Sequence, residues 1–172
     1  LMTLKMESLE PKWTPMKALG KAQKEVDSLG LPPLAVDLED NNTLEFSKLN
    51  TYDNKILADF LAMYGGYKAY LETKIADIES KVGALNAAFD EGYSTALYRT
   101  VQLYEEKDKK KPTRDELKGE IMDTHAVLRE MRREIIDQEA TLKKTQGLLN
   151  TYTTAYNTVS RIVTIRTHGE RI

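Results

Sequence analysis

Few residues in this sequence have both the type and the spacing that catalysis or ligand binding requires. The only histidines, His125 and His168, stand alone, with no His-x-x-x-His or Glu-x-x-His arrangement that would put two metal ligands on one helix face. Cysteine is absent, so thiolate ligands, thiol nucleophiles and disulfides are excluded together, a composition that suits a reducing compartment. Gly65-Gly66 is followed by Tyr67-Lys68 rather than by the Lys-Ser or Lys-Thr of a phosphate loop, and Ser160 has no nucleophile elbow around it. The paired carboxylates Glu105-Glu106 and Asp115-Glu116 fall at expected helix ends, where capping and the helix dipole account for them. These patterns predict no metal site, no cofactor and no enzymatic activity.

What remains is the distribution of positive charge. Lys107, Lys109, Lys110, Lys111 and Arg114 gather in one short stretch, diluted by Glu105, Glu106 and Asp108, and Lys118 follows a turn later. Near the C-terminus Arg161, Arg166 and Arg171 outnumber Glu170. A third group, Arg129, Arg132 and Arg133, is interrupted by Glu130 and Glu134 and reads as local pairs along a helix face. The bland alternatives are a solvated lysine-rich turn and cations favoured at a helix C-terminus. A net charge of −2 argues against a surface that coats nucleic acid everywhere. If copies of the chain brought these clusters together, phosphate contacts from the basic residues and stacking by Tyr152 or Tyr156 would suit a single strand of nucleic acid.

Long helices must position these groups. Pro112 and the Thr113-Arg114-Asp115-Glu116 capping pattern open one helix that the sequence extends to Arg166. Along it Ile121, Leu128, Ile135, Leu142, Leu149, Tyr156 and Val163 recur every seven residues, beside a more polar row of Leu117, Thr124, Met131, Gln138, Thr145, Tyr152 and Val159. A second long helix, capped by Asn50 or Thr51, carries Leu57, Leu61, Tyr64, Leu71, Ile75, Ile78, Val82, Leu85, Phe89, Ala96 and Leu103 in steps of three and four with gaps at Lys68 and Gly92, and Gly65-Gly66 could bend it. Residues 105–112 form the turn between them. Upstream, Thr14-Pro15 starts a short helix with Met16, Leu19, Val26 and Leu29 at helical spacing, Trp13 serves as a staple or anchor, and an acidic linker follows from Leu31 to Leu49.

The expected fold is all-α: a long antiparallel helical hairpin over residues 50–172, preceded by an arm, short helix and linker over 1–49. Its seams, Leu57, Leu61, Ile75, Ile78, Val82, Ile121, Leu128, Ile135, Leu142, Leu149 and Val163, carry the association, and nine tyrosines exceed what one stripe accommodates, so a homo-oligomer is expected. No apolar run reaches the roughly 20 residues of a membrane span, and no signal-peptide pattern opens the sequence, so a cytoplasmic location is expected.

The stretch Leu57 to Ser80 (LADFLAMYGGYKAYLETKIADIES), the lysine-rich turn and the terminal segment Tyr156-Asn157-Thr158-Val159-Ser160-Arg161 resemble small helical proteins of tailed bacteriophages. The pattern is similar to that of phage recombination mediators of the UvsY type. That resemblance implies an oligomer that binds single-stranded DNA and loads a recombinase onto strands held by single-strand binding protein. The competing expectations are a structural or assembly protein, scaffold or virion component, whose seams serve self-association, and a non-enzymatic binder of a host protein.

Overall fold

The computed structural model describes residues 13–31, 46–108, 110 and 112–169. Within them four α-helices and one 3-10 helix follow in order: α1 (Pro15–Asp27), the 3-10 helix Phe46–Thr51, α2 (Asn54–Glu106), α3 (Arg114–Thr124) and α4 (Ala126–Gly169). The arm before Trp13 and most of the acidic linker lie outside the described residues. The helical hairpin expected from the sequence is present.

Each helix starts where a side chain can serve the unpaired amides of its first turn. Thr14 Oγ1 accepts from the Lys17 amide at 3.2 Å, with Pro15 in the first turn of α1, where a missing N–H is harmless. Asp53 Oδ1 accepts from the Ile56 amide at 2.7 Å, so α2 begins three residues later than an Asn50 cap, or two later than a Thr51 cap, would place it. The intervening chain winds as the 3-10 helix, which buries Leu49. Thr113 and Glu116 form the full capping box of α3: the Glu116 carboxylate accepts from the Thr113 amide at 2.7 Å, and the Glu116 amide donates to Thr113 Oγ1 at 3.3 Å. Gly65-Gly66 does not interrupt α2, whose 53 residues make a rod of about 80 Å.

The helix expected to run unbroken from Thr113 to Arg166 divides instead at His125, whose backbone leaves helical geometry at φ −105° and ψ 88°. Asp123, Thr124 and His125 are all poor helix formers, and their polar side chains compete for backbone groups. Thr124 Oγ1 donates to the Glu120 carbonyl, and His125 Nδ1 lies 3.1 Å from the Ile121 carbonyl. Arg129 Nη1 then caps the end of α3, donating to the carbonyls of Met122 at 3.2 Å and Asp123 at 3.1 Å.

α2 packs antiparallel to α3 and α4, as contacts at both ends and the middle show: Arg166 reaches Tyr52, Lys81 reaches Glu134, and Tyr104 reaches Glu120. Leu57, Tyr64, Leu71, Tyr152, Ala155, Val159 and Leu49 form the buried cluster near the open end; Ala96, Ile121 and Leu128 form a smaller one near the turn. Fully burying a Leu or Val contributes about 1.5–3 kcal/mol. The seam along α3 and α4 is not the single row that the sequence suggests. Ile121, Leu128 and Ile135 are buried, but Leu142, Leu149, Tyr156 and Val163 are only half-buried, and Gln138, Thr145, Tyr152 and Val159 take the core positions beyond Ile135. A helix of 3.6 residues per turn drifts by about 20° for every seven residues, so a strict seven-residue row rotates away from its partner and the neighbouring row replaces it. Leu57, Ile75, Ile121, Leu128 and Ile135, expected to serve association between copies, are buried inside one chain; Leu61, Ile78 and Val82 on α2 are half-buried beside them.

α1 lies on α4. It buries only Ala18 and Ala22, leaving Met16 and Leu19 75% and 47% exposed, although helical spacing marks those two as its apolar face. Small side chains let α1 approach closely, and polar groups do the fastening. Lys21 Nζ pairs with Asp137 Oδ2 at 3.0 Å and Glu134 Oε2 at 3.6 Å; Trp13 Nε1 donates to Asp137 Oδ1 at 3.0 Å; Thr141 Oγ1 donates to Glu25 Oε2 at 3.1 Å. From α2, Lys81 reaches Glu134 Oε1 at 3.0 Å, and Gln138 Nε2 donates to the same oxygen at 2.9 Å. This polar junction of three helices separates the two apolar clusters.

Candidate nucleic-acid interface

The basic residues that the sequence singles out sit at opposite ends of the hairpin. Lys107, Lys110 and Arg114 are exposed at the turn, while Arg161 and Arg166 lie near the open end, most of the length of α2 away. Lys109, Lys111 and Arg171 fall outside the described residues. One chain therefore does not bring the two clusters together.

At the turn, charge nearly cancels. Residues 92–125 carry seven cations and seven carboxylates. Glu116 is held below the ordinary carboxylate range by its bonds from the Thr113 amide and hydroxyl. Tyr104 donates to Glu120 at 2.9 Å, a bond that pushes the phenol up. A cleft of about 280 Å³ opens beside this pair, lined by Thr100, Leu103, Lys107, Thr124 and His125 as well. Among the described residues no cluster of three His, Asp or Glu side chains could hold a metal ion.

The open end is different. Arg166 is fixed there by four acceptors: Nη1 donates to the Tyr52 carbonyl at 2.6 Å and Asn54 Oδ1 at 3.1 Å, and Nη2 to the carbonyls of Asn50 at 2.9 Å and Leu49 at 3.3 Å. Its fork closes the 3-10 helix and ties the end of α4 to the start of α2, using up the donors that a phosphate contact requires. All four acceptors are neutral, so its charge is not cancelled. Tyr152, a candidate for base stacking, is fully buried, with its ring 5.9 Å from that of Tyr64 and 5.2 Å from that of Tyr67; it belongs to the core and cannot stack on a ligand in this fold. Burial pushes the phenols of Tyr64 and Tyr152 up to about 12. Tyr156 is half-buried, and Lys68 Nζ lies 4.8 Å from its ring centre.

The feature missed by looking for clusters of lysine and arginine is an absence of carboxylates. From Ala140 to Gly169 the sequence contains no Asp or Glu, while Lys143, Lys144, Arg161 and Arg166 are cationic. The outer stripe of α4, in steps of four and three, is Lys143, Gly147, Asn150, Thr154, Asn157, Arg161, Thr164 and His168, all exposed. Surface helices usually mix both signs of charge, because Glu–Lys pairs at four-residue spacing are stabilising. Along about 38 Å of helix this stripe presents cations, amides, hydroxyls, an imidazole and a glycine, with the exposed Ile165 beside it near the end. A signed charge count along the helix, rather than a search for basic runs, detects it in the sequence.

No family model, curated protein or solved structure matches this chain.

Proposed function

We propose that this protein is a non-enzymatic binder of single-stranded nucleic acid, acting as a recombination or replication accessory of the phage-mediator kind, with the outer stripe of α4 as its contact surface. The observation that carries this reading is the carboxylate-free stripe from Lys143 to His168. Phosphate oxygens are bound by Arg and Lys together with Asn and Thr side chains, and a nearby carboxylate would repel them. The stripe supplies the favourable groups and omits the repulsive one. Both of its threonines donate to their own helix, Thr154 Oγ1 to the Asn150 carbonyl and Thr164 Oγ1 to the Ser160 carbonyl, each at 2.9 Å, so the cations and the amides of Asn150 and Asn157 carry most of the attraction. With so few cations per chain the affinity of one protomer is modest, and self-association would supply the rest.

The test is titration of a fluorescent oligothymidylate at two salt concentrations. Affinity is expected to fall roughly tenfold between about 50 and 200 mM salt, the loss expected for two or three neutralised phosphates on a single strand. Lys143→Glu with Arg161→Glu should abolish binding, whereas Lys107→Glu with Lys110→Glu at the turn should leave it nearly unchanged. Absence of binding, or binding that depends on the turn and not on the stripe, removes this reading.

The assembly-protein reading draws its support from open apolar side chains on α2, Ile56, Met63 and Tyr70, which no element among the described residues covers fully. Retention of a particle-assembly role in a variant with the stripe reversed to glutamate would favour it.

A further inference from the structure

We infer that α1 is a hinged strap: Trp13 to Asp27 leave α4 as a unit while the hairpin of α2, α3 and α4 stays folded, and ionic strength shifts the balance between the docked and released states. This inference does not depend on nucleic-acid binding. Neither apolar cluster takes a buried member from α1. The helix buries only Ala18 and Ala22, whose methyl groups are among the smallest apolar surfaces a helix can offer.

The fastening is polar instead, and it faces a polar stretch of α4. Lys21 reaches Glu134 and Asp137, Trp13 reaches Asp137, Thr141 donates to Glu25, and Lys144 Nζ donates to Gln23 Oε1 at 2.6 Å. On release water serves each of these groups, so the net loss per bond is small. Opening the hairpin would instead expose Leu57, Tyr64, Leu71, Tyr152 and Val159. Trp13 and Lys21 share the Asp137 carboxylate, so the two fastenings are lost together and the strap lets go as one piece.

The pivot lies at the other end of α1. Leu29 and Leu31 pack half-buried against the larger apolar cluster, and Gly30 between them, at φ 66°, turns the chain. These leucines hold the end of the strap by apolar contacts, which charge screening does not weaken. The Lys21 side chain is 46% exposed, so salt reaches both of its ion pairs. Release uncovers Asp137 and returns Lys21 to water, two charges that are paired in the docked molecule.

Urea unfolding of the full chain, followed by two probes, tests the inference. Trp13 is the only tryptophan and reports α1; far-UV ellipticity reports mainly the hairpin. Trp13 emission is expected to change at a lower urea concentration than the main loss of ellipticity, accompanied by only a small early loss, because a free helix of 13 residues is marginal. Raising salt from about 0.05 to about 1 M should raise the ratio of released to docked α1 roughly fivefold without lowering the hairpin transition. Lys21→Met keeps the aliphatic stem and removes the charge; it should release α1 more readily and lose most of the salt response. Ala22→Lys places a charge at a fully buried contact, so it should show the released Trp13 emission without urea while the hairpin unfolds at the native urea concentration. Coincident Trp13 and ellipticity transitions in the native chain overturn the inference. So does a full salt response in Lys21→Met, or a hairpin that loses its fold in Ala22→Lys.

Discussion

The indole N–H of Trp13 donates to one carboxylate oxygen of Asp137 while Lys21 holds the other, both at 3.0 Å, so a single buried side chain of α4 fastens both the entry to α1 and its middle turn. Since α1 buries only two alanines, these polar contacts decide whether it stays in place. Asp137→Ala is expected to weaken α1 docking by about 1–3 kcal/mol, the range for hydrogen bonds to a charged group whose partners are left behind. Trp13 is the only tryptophan, so its fluorescence reports the change directly. Asp137→Asn keeps an acceptor for the indole but loses the pairing with Lys21, and should fall between native and alanine.

The same junction gives a pH dependence at both extremes. The Lys21 amine is raised above its ordinary 10.5 by the hydrogen bond to Asp137, which outweighs desolvation, and by the charges of Glu134 and Asp137. That contribution is complete below 10.5 and is lost as pH rises through the folded value. For Glu134 burial works to raise the carboxyl, but the hydrogen bonds from Lys81 and Gln138 and the charge of Lys21 prevail, and it lies below its ordinary 4.5. Its contribution is present above 4.5 and is lost as pH falls through the folded value. Trp13 emission should therefore hold steady between about pH 5 and 10 and change beyond either limit. A transition near neutrality would show that other groups hold α1.

Arg166→Ala should open the end of the hairpin. The guanidinium serves three carbonyls and the Asn54 amide oxygen, and lysine cannot imitate its fork. The expected loss is about 1–2 kcal/mol, from acceptors left partly unsatisfied, and Arg166→Lys should recover only a small part of it. Hydrogen exchange over residues 46–56 should quicken in both variants before it quickens at the Ile121 and Leu128 cluster.

Local rules in the sequence specify the helices, their capping and the hairpin, because Thr113 with Glu116, Thr14 with Pro15 and the apolar repeats around Leu57 and Ile135 each act within a few residues. The break at His125 escapes such rules. It depends on Asp123, Thr124 and His125 together with Arg129 reaching back to cap α3, a coupling that no apolar period records. The polar junction escapes for a different reason: Trp13 and Asp137 are 124 residues apart, and only the docking of α1 reveals them as partners. At the candidate interface, Arg161 is legible as an exposed cation, but Tyr152 and Arg166 are not legible as core and latch, since a seven-residue row does not say which of two adjacent rows will face the neighbouring helix beyond Ile135.

Two glycines of α2 should respond differently to substitution, although sequence context does not distinguish them. A methyl group at Gly83 meets nothing within 4 Å among the described residues, so Gly83→Ala should stabilise the chain by about 0.4–1 kcal/mol through reduced freedom of the unfolded state. At Gly92 the added carbon would lie 2.8 Å from Leu128 Cδ2, closer than packed atoms tolerate. Leu128 is buried, but the atom in question is the end of a flexible side chain, so Gly92→Ala can be accommodated by a rotation of that side chain and should come out near zero, below the gain at Gly83. Gly92→Val leaves no such escape and should destabilise by about 1–3 kcal/mol. Urea unfolding of the three variants separates the cases. Equal gains for the two alanine variants would mean that α2 and α4 do not approach at Leu128 as closely as the structure has them.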